Sequence, residues 1–451
     1  VVRGGKAAAL AAAAVLTGLA GLAGLAGLSG TPAATAGTPA TAATAAGAAE
    51  SRIVAAEGAD DTAVRPLAGG GGECTFPMKD QFEGRPWPLQ RVLFDQLWQE
   101  TKGRTADGHP VRVAVIDTGV DNDNPQLRKA VDAGSGLNLL KPAEGRSKKE
   151  LGDATTDPVG HGTKVAGIIA ARPQPGTGFV GLAPEAVIIP IRQNDAESAG
   201  NAETLARAID YAVAEKADVI NISQDTSDPL DETSQLAGSV RKALAENIVV
   251  IASAGNDGAD GKAKKTYPAA FEGVLAVASS DRNNERAPFS QRGAFLGVAA
   301  PGVDIVSTVP GFGQCVDNGT SFSAPYVAGV AALIRAEHPS WTPNQVVAQI
   351  EQTAERSING HDANVGWGVV DPVRALTEDD RPLDEAVPDA GPPAAAAPEP
   401  MALTLSETPQ EREERYATYA LGTTGILVAV VAGTAIVLRD HRRRRGVRSP
   451  N

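Results

Sequence analysis

The chain has 451 residues and a net charge of −13, with 42% hydrophobic and only 4% aromatic residues. That length accommodates one large domain or two to three small ones. The acidic balance argues against nucleic acid as a partner. Two cysteines, Cys74 and Cys315, offer none of the paired spacings that hold a structural metal.

Residues 1–30 read as a signal peptide: Arg3 and Lys6 precede an Ala/Leu/Gly apolar run, followed by small residues. The same run is long enough to be read as a membrane helix. Residues 31–72 form an Ala/Thr/Gly/Pro-rich low-complexity segment without apolar period. Residues 73–107 differ, gathering Phe76, Phe82, Trp87, Phe94 and Trp98. Leu89, Leu93 and Leu97 recur every fourth residue and predict one apolar face of a short helix. So small a segment is expected to pack on the domain that follows. In an exported chain Cys74 and Cys315 are expected to bridge, although two unrelated thiols would read the same way.

From 108 to 376 short β-branched runs alternate with helical patterns. Val111–Ile116, Val187–Ile191, Val219–Ile222, Ile248–Ala252 and Val274–Ala278 are apolar on both faces, as buried parallel strands are. Leu205, Ile209 and Val213, and then Leu236, Val240 and Leu244, each mark one face of a helix. The fold class is therefore α/β, a central parallel sheet between helical layers, with its functional crevice beyond the carboxyl ends of the strands.

Four residues stand at turns bordering that crevice. Asp117 ends the first strand in Val-Ile-Asp-Thr-Gly, where a turn aspartate is the plain alternative. His161, in Gly-His-Gly-Thr, opens an apolar helical stretch. Asn256 follows a strand run and has either an oxyanion donor's place or an Asx-turn. Ser321, in Gly-Thr-Ser-Phe-Ser-Ala-Pro, opens an Ala-rich buried helix and is either a nucleophile or an N-cap serine. Pro325 is expected in the first helical turn, where its missing N–H breaks no bond, leaving the Ser321 hydroxyl exposed. His109, His338, His361 and His441 occupy loops, a helix end and the basic tail, and suggest no chemistry. A serine hydrolase needs a nucleophile, a base, a carboxylate that orients the base, and oxyanion donors. The order Asp117, His161, Asn256, Ser321 is the subtilisin order of such a set.

These motifs resemble the subtilisin-like serine proteases (peptidase S8) over about 108–376, with Tyr267-Pro268-Ala269, Phe289-Ser290, Ala300-Pro301-Gly302 and Gly366-Trp367-Gly368 as further landmarks. The resemblance implies that Asp117 orients His161, that His161 acts as base and then acid, and that Ser321 attacks the scissile carbonyl. Asn256 and the Ser321 N–H would then bind the oxyanion. It also implies that Ser223, Gln224 and Asp225, with Ser253, Ala254 and Gly255, line the substrate, their strand pairing with its backbone. Subtilisins usually follow that serine with Leu-Gly-Gly, and the polar Gln224-Asp225 tells against broad hydrophobic specificity. Thr266 falls where many subtilisins have a glycine at the pocket floor, which implies a small residue on the acyl side of the cut. Within the family the chain looks like a mycosin, on Pro86-Trp87-Pro88, Leu97-Trp98, Gly181-Leu182-Ala183-Pro184 and Ile191-Arg192-Gln193. That likeness implies association with a type VII secretion complex.

Residues 377–415 read as a Pro/Ala/acidic linker and 416–438 as a transmembrane helix with no charged residue. The basic tail, 439–451, places itself in the cytoplasm and the catalytic domain outside, anchored in the cell membrane. The expected partners are protein substrates, the lipid membrane and the secretion complex. No cofactor or metal is expected, the Asp121–Asn124 loop reading as a solvated turn. The reading is of a membrane-anchored serine endopeptidase; its alternative is a structural component of the secretion complex with proteolysis dispensable.

Overall fold

The computed structural model describes residues 63–66, 74–79, 81–142, 147–195, 200–389 and 407–446. The expected signal peptide, and the low-complexity segment apart from residues 63–66, lie outside that range. In chain order the strands are β1 (Ala63–Pro66), β2 (Arg112–Asp117), β3 (Leu137–Asn138), β4 (Val187–Arg192), β5 (Gly200–Asn201) and β6 (Val219–Ile222). They continue as β7 (Gln224–Asp225), β8 (Val249–Ser253), β9 (Leu275–Ser280), β10 (Val298–Pro301), β11 (Ile305–Thr308) and β12 (Gln314–Asp317). The helices are α1 (Trp87–Gln90), α2 (Phe94–Leu97), α3 (Lys148–Leu151), α4 (His161–Ala170), α5 (Ala202–Ala214) and α6 (Gln235–Ala245), then α7 (Thr320–Glu337), α8 (Pro343–Gln352), α9 (Pro372–Thr377) and α10 (Pro409–Gly446).

Seven strands form one parallel sheet in the order β10-β9-β8-β6-β2-β4-β3. Its strands are β-branched and apolar on both faces because each face is covered. Leu205, Ile209, Leu236 and Val240 of α5 and α6 pack one face against Ile116, Ile189, Ile220 and Val250. Val165, Ile169, Val327 and Leu333 of α4 and α7 pack the other against Val113, Val115, Ile188 and Ile251. The chain leaves β2 for β4 on one side and returns past it to β6 on the other. The carboxyl end of β2 is thus the switch point where a crevice opens, and Asp117 is its last residue.

Helix α7 corrects one expectation and explains itself in doing so. Every residue from Thr320 to Ala336 is buried, Ser321 included, so its side chain is not exposed. Pro325 is the sixth helical residue and lies inside the helix, not in its first turn. Its missing N–H leaves the Ser321 carbonyl, four residues back, without a helical donor. The Ser223 hydroxyl fills that place, donating to Ser321 O at 2.9 Å.

The aromatic N-terminal segment forms two single turns instead of one helix. Leu89 and Leu97 are buried but Leu93 is exposed, because Phe94 takes the inward position at the start of α2. The Trp87 and Trp98 indole N–H groups donate to Val303 O and Leu182 O, at 2.9 and 2.8 Å. Cys74 is bridged to Cys315 on β12. Beyond α9, Val387 N donates to Gln352 Oε1 and Asp389 N to Asn359 O, so residues up to 389 still touch the domain. Among the described residues α10 is the one helix long and apolar enough to cross a membrane.

The disulfide closes a loop of 241 residues of separation, so the unfolded chain loses much freedom when it forms. Cys315→Ser is expected to lower the unfolding free energy by about 2–5 kcal/mol, read as a shifted denaturant midpoint. An unshifted midpoint would show that loop closure contributes nothing.

Candidate active site

Two elements meet at the end of β2. Helix α4 begins at His161 and runs so close to the turn after Asp117 that a Cβ on Gly162 would lie 2.1 Å from Gly119 O. Only glycine permits that approach, and it brings His161 Nδ1 to 2.7 Å from Asp117 Oδ1. Asp117 Oδ1 also accepts from Thr118 N at 2.8 Å, and both side chains are buried. A carboxylate can only accept, so Nδ1 carries the proton and Nε2 keeps its lone pair. Among the described residues Nε2 makes no hydrogen bond. Burial pulls the His161 pKa down, but the charge and hydrogen bond of Asp117 more than reverse this, and the net shift is upward.

Asp157 holds this pair in place. The N-cap of α4 is Gly160, which has no side chain to cap with. The Asp157 carboxylate supplies the acceptor instead, taking Gly160 N at 2.8 Å, Thr163 N at 2.9 Å and the Thr118 hydroxyl at 2.8 Å. It therefore ties the first turn of α4 to the turn after β2. Sequence reasoning passed over Asp157; the signal was an acceptor placed three residues before a helix-opening glycine.

Ser321 stands in the first turn of α7, where backbone N–H groups have no intrahelical acceptor. Its hydroxyl donates to Ser223 O at 3.3 Å. The ring of Phe322, its neighbour, lies 5.3 Å from the His161 ring. Asn256 is three residues past β8, and its Oδ1 accepts from Thr320 N and Oγ1 at 3.0 and 2.9 Å. Those bonds hold the amide through its oxygen, on the side of Thr320. Lys164 Nζ, 2.7 Å from Asp317 Oδ2, binds α4 to the strand leading into Ser321.

The remaining sequence-singled residues divide in two. Gln224 turns its amide inward, donating to Asn194 Oδ1 at 2.8 Å and to Ile116 O at 3.2 Å and accepting from Gln193. It can offer a substrate only its backbone. Asp225, Gly255 and Thr266 instead converge on one point, while Ser253 and Ala254 are buried at the end of β8. The Asp121–Asn124 loop spends its polar groups on the protein: Asp121 accepts from Asp123 N and Gly311 N, and buried Asn124 donates to Val309 O.

A model of the subtilase family matches residues 108–368, a span holding all four residues. The chain belongs to the subtilase family. Subtilisin E of Bacillus subtilis (strain 168) is 39% identical over 248 residues, 55% of this chain and 61% of its own length. The chain thus spans less than two thirds of that relative. Among solved structures, the MycP3 protease from the type VII (ESX-3) secretion system is 32% identical with a TM-score of 0.58, covering 71% of this chain and 93% of its own. MycP1 from the ESX-1 type VII secretion system is 30% identical with a TM-score of 0.60, covering 73% and 94%.

The groove beside this subtilase site is already filled. Strand β1 lies antiparallel between β5 and β7, pairing Ala63 with Asn201 and Val64 with Gly200, then Arg65 with Asp225 and Pro66 with Gln224. A bound peptide adding a strand to β7 must first displace it. A chain beginning at residue 73, which keeps Cys74, is expected to show a lower KM for extended peptides at unchanged kcat. An equal KM would mean that β1 does not compete.

Proposed function

We propose that this chain is a membrane-anchored serine endopeptidase whose triad is Asp117, His161 and Ser321. The carrying observation is the buried Asp117–His161 contact, set beside a helix whose first turn carries Ser321. Ser321 Oγ attacks the scissile carbonyl carbon while its proton passes to His161 Nε2, the nitrogen left with a lone pair. The carbonyl oxygen becomes an oxyanion held by Asn256 Nδ2 and the Ser321 N–H. One such donor is worth about 10²–10³ in turnover, a figure that comes from subtilisin itself. Collapse expels the amine, which takes the proton from His161, and water then hydrolyses the acyl-enzyme by the same route reversed.

The Cys74–Cys315 bridge supports an oxidising compartment for this domain. Helix α10 would cross the membrane, and Arg439 with Arg442–Arg445 after its apolar run would hold the tail in the cytoplasm. The likeness to MycP1 and MycP3 supports a place beside a type VII secretion complex, acting on proteins that pass through it.

The test is the rate of labelling by a fluorophosphonate across pH, with Ser321→Ala as control. Labelling is expected in the wild type and absent in the control. Because Asp117 favours the protonated imidazole, and only the neutral form accepts a proton, the rate should fall in acid with a midpoint above the ordinary histidine value of about 6.5. A folded wild type that does not label would overturn the reading.

A further inference from the structure

Any peptide cut here must bring one carbonyl between Ser321 and Asn256. An extended chain laid on β7 as β1 is passes Asp225 and then Gln224, and would next stand opposite Ser223. Ser223 contacts Ser321 through both its hydroxyl and its carbonyl. The residue on the acyl side of the bond therefore stands opposite Ser223, and the slot between β7 and Ser253–Asn256 receives its side chain.

Three side chains already meet in that slot. A Cβ placed on Gly255 would lie 2.6 Å from Asp225 Oδ2, 3.0 Å from Thr266 Cγ2 and 3.2 Å from Gln291 Cγ. Gly255 has φ +101°, and the space beside it does not admit one more carbon without something shifting. Thr266 is pinned with its methyl inward, because its hydroxyl donates to Ala254 O at 2.7 Å. Asp225 is 8% exposed, and among the described residues its carboxyl makes no hydrogen bond or ion pair. Burial, and then the nearby Asp257, push it up to about 7. Below neutrality the group is therefore mostly uncharged, and can lie against the backbone without a counter-ion.

We propose that Asp225 is a specificity-determining residue: by lying against Gly255 and the Thr266 methyl it plugs the acyl-side pocket and restricts cleavage to glycine, alanine or serine there. This rests on the protease reading above. A receptor for a cationic side chain would need its carboxylate at the far end of an open pocket, whereas this one closes the pocket at its wall. Gln224, turned inward, takes no part in the selection.

The experiment compares peptides differing only in the acyl-side residue (Ala, Phe or Lys) on the full chain in detergent, with fluorophosphonate labelling alongside. The wild type should favour Ala over Phe and Lys by about tenfold or more in kcat/KM. Asp225→Gly should raise the ratio of kcat/KM for Phe to that for Ala about tenfold or more. Asp225→Asn, of equal volume, should keep the wild-type order. A wild type that prefers Lys and loses that preference in Asp225→Asn would make the carboxylate a cation receptor and overturn the plug. A wild type that prefers Phe would overturn it as well, and so would a folded Asp225→Gly with an unchanged profile. Should Asp225→Gly not fold, the wild-type and Asp225→Asn profiles decide the matter. Labelled protein with the wrong profile sinks only the plug; unlabelled folded protein sinks the protease reading beneath it.

Discussion

A single contact, His161 Nδ1 to Asp117 Oδ1 at 2.7 Å, sets what this fold can do. It forms where the strand order reverses, so the carboxylate is delivered by the end of β2 and the imidazole by the first residue of the helix beside it. Neither group sits well alone in so dry a place: an unpaired buried charge costs several kcal/mol. Together they settle the proton on Nδ1 and leave Nε2 as the group able to take one. Asp157 makes the arrangement rigid by gripping both the helix start and the turn after the strand.

A second coupling joins Ser321 to Ser223, the residue before β7. A proline inside a helix costs about 3 kcal/mol or more, part of it the lost backbone hydrogen bond. Here that loss falls on the Ser321 carbonyl, and Ser223 restores a donor from the strand that a peptide would join. Ser223 and Ser321 thus hold one another by two hydrogen bonds, one in each direction. Movement of β7 would be felt at Ser321 through these two bonds.

Much of this was legible in the chain. β-branched runs apolar on both faces located five strands of the sheet to within one or two residues, because burial on both sides leaves no other pattern. The glycines around Asp117, His161 and Ser321 marked the turns, because close approach of backbones demands them. Less legible were interactions made by one polar atom across a long separation. Nothing local to Ser223 announces a carbonyl deprived by a proline about a hundred residues later. Residues 63–66 were unreadable for a different reason: strand addition uses backbone, and so needs no apolar period. Leu93 misled because its spacing fitted a helix that the chain breaks in order to seat Phe94.

The acidic domain, its bridge and the apolar α10 supply the setting, but the chemistry stands or falls with the imidazole. The most direct measurement is proton NMR of the His161 Nδ1–H across pH, with Asp117→Asn as control. The account predicts a strongly downfield proton on Nδ1 in both protonation states, with the ring titrating above about 6.5, and both features lost in the control. A ring that titrates below that value, or a downfield signal that survives Asp117→Asn, would contradict it.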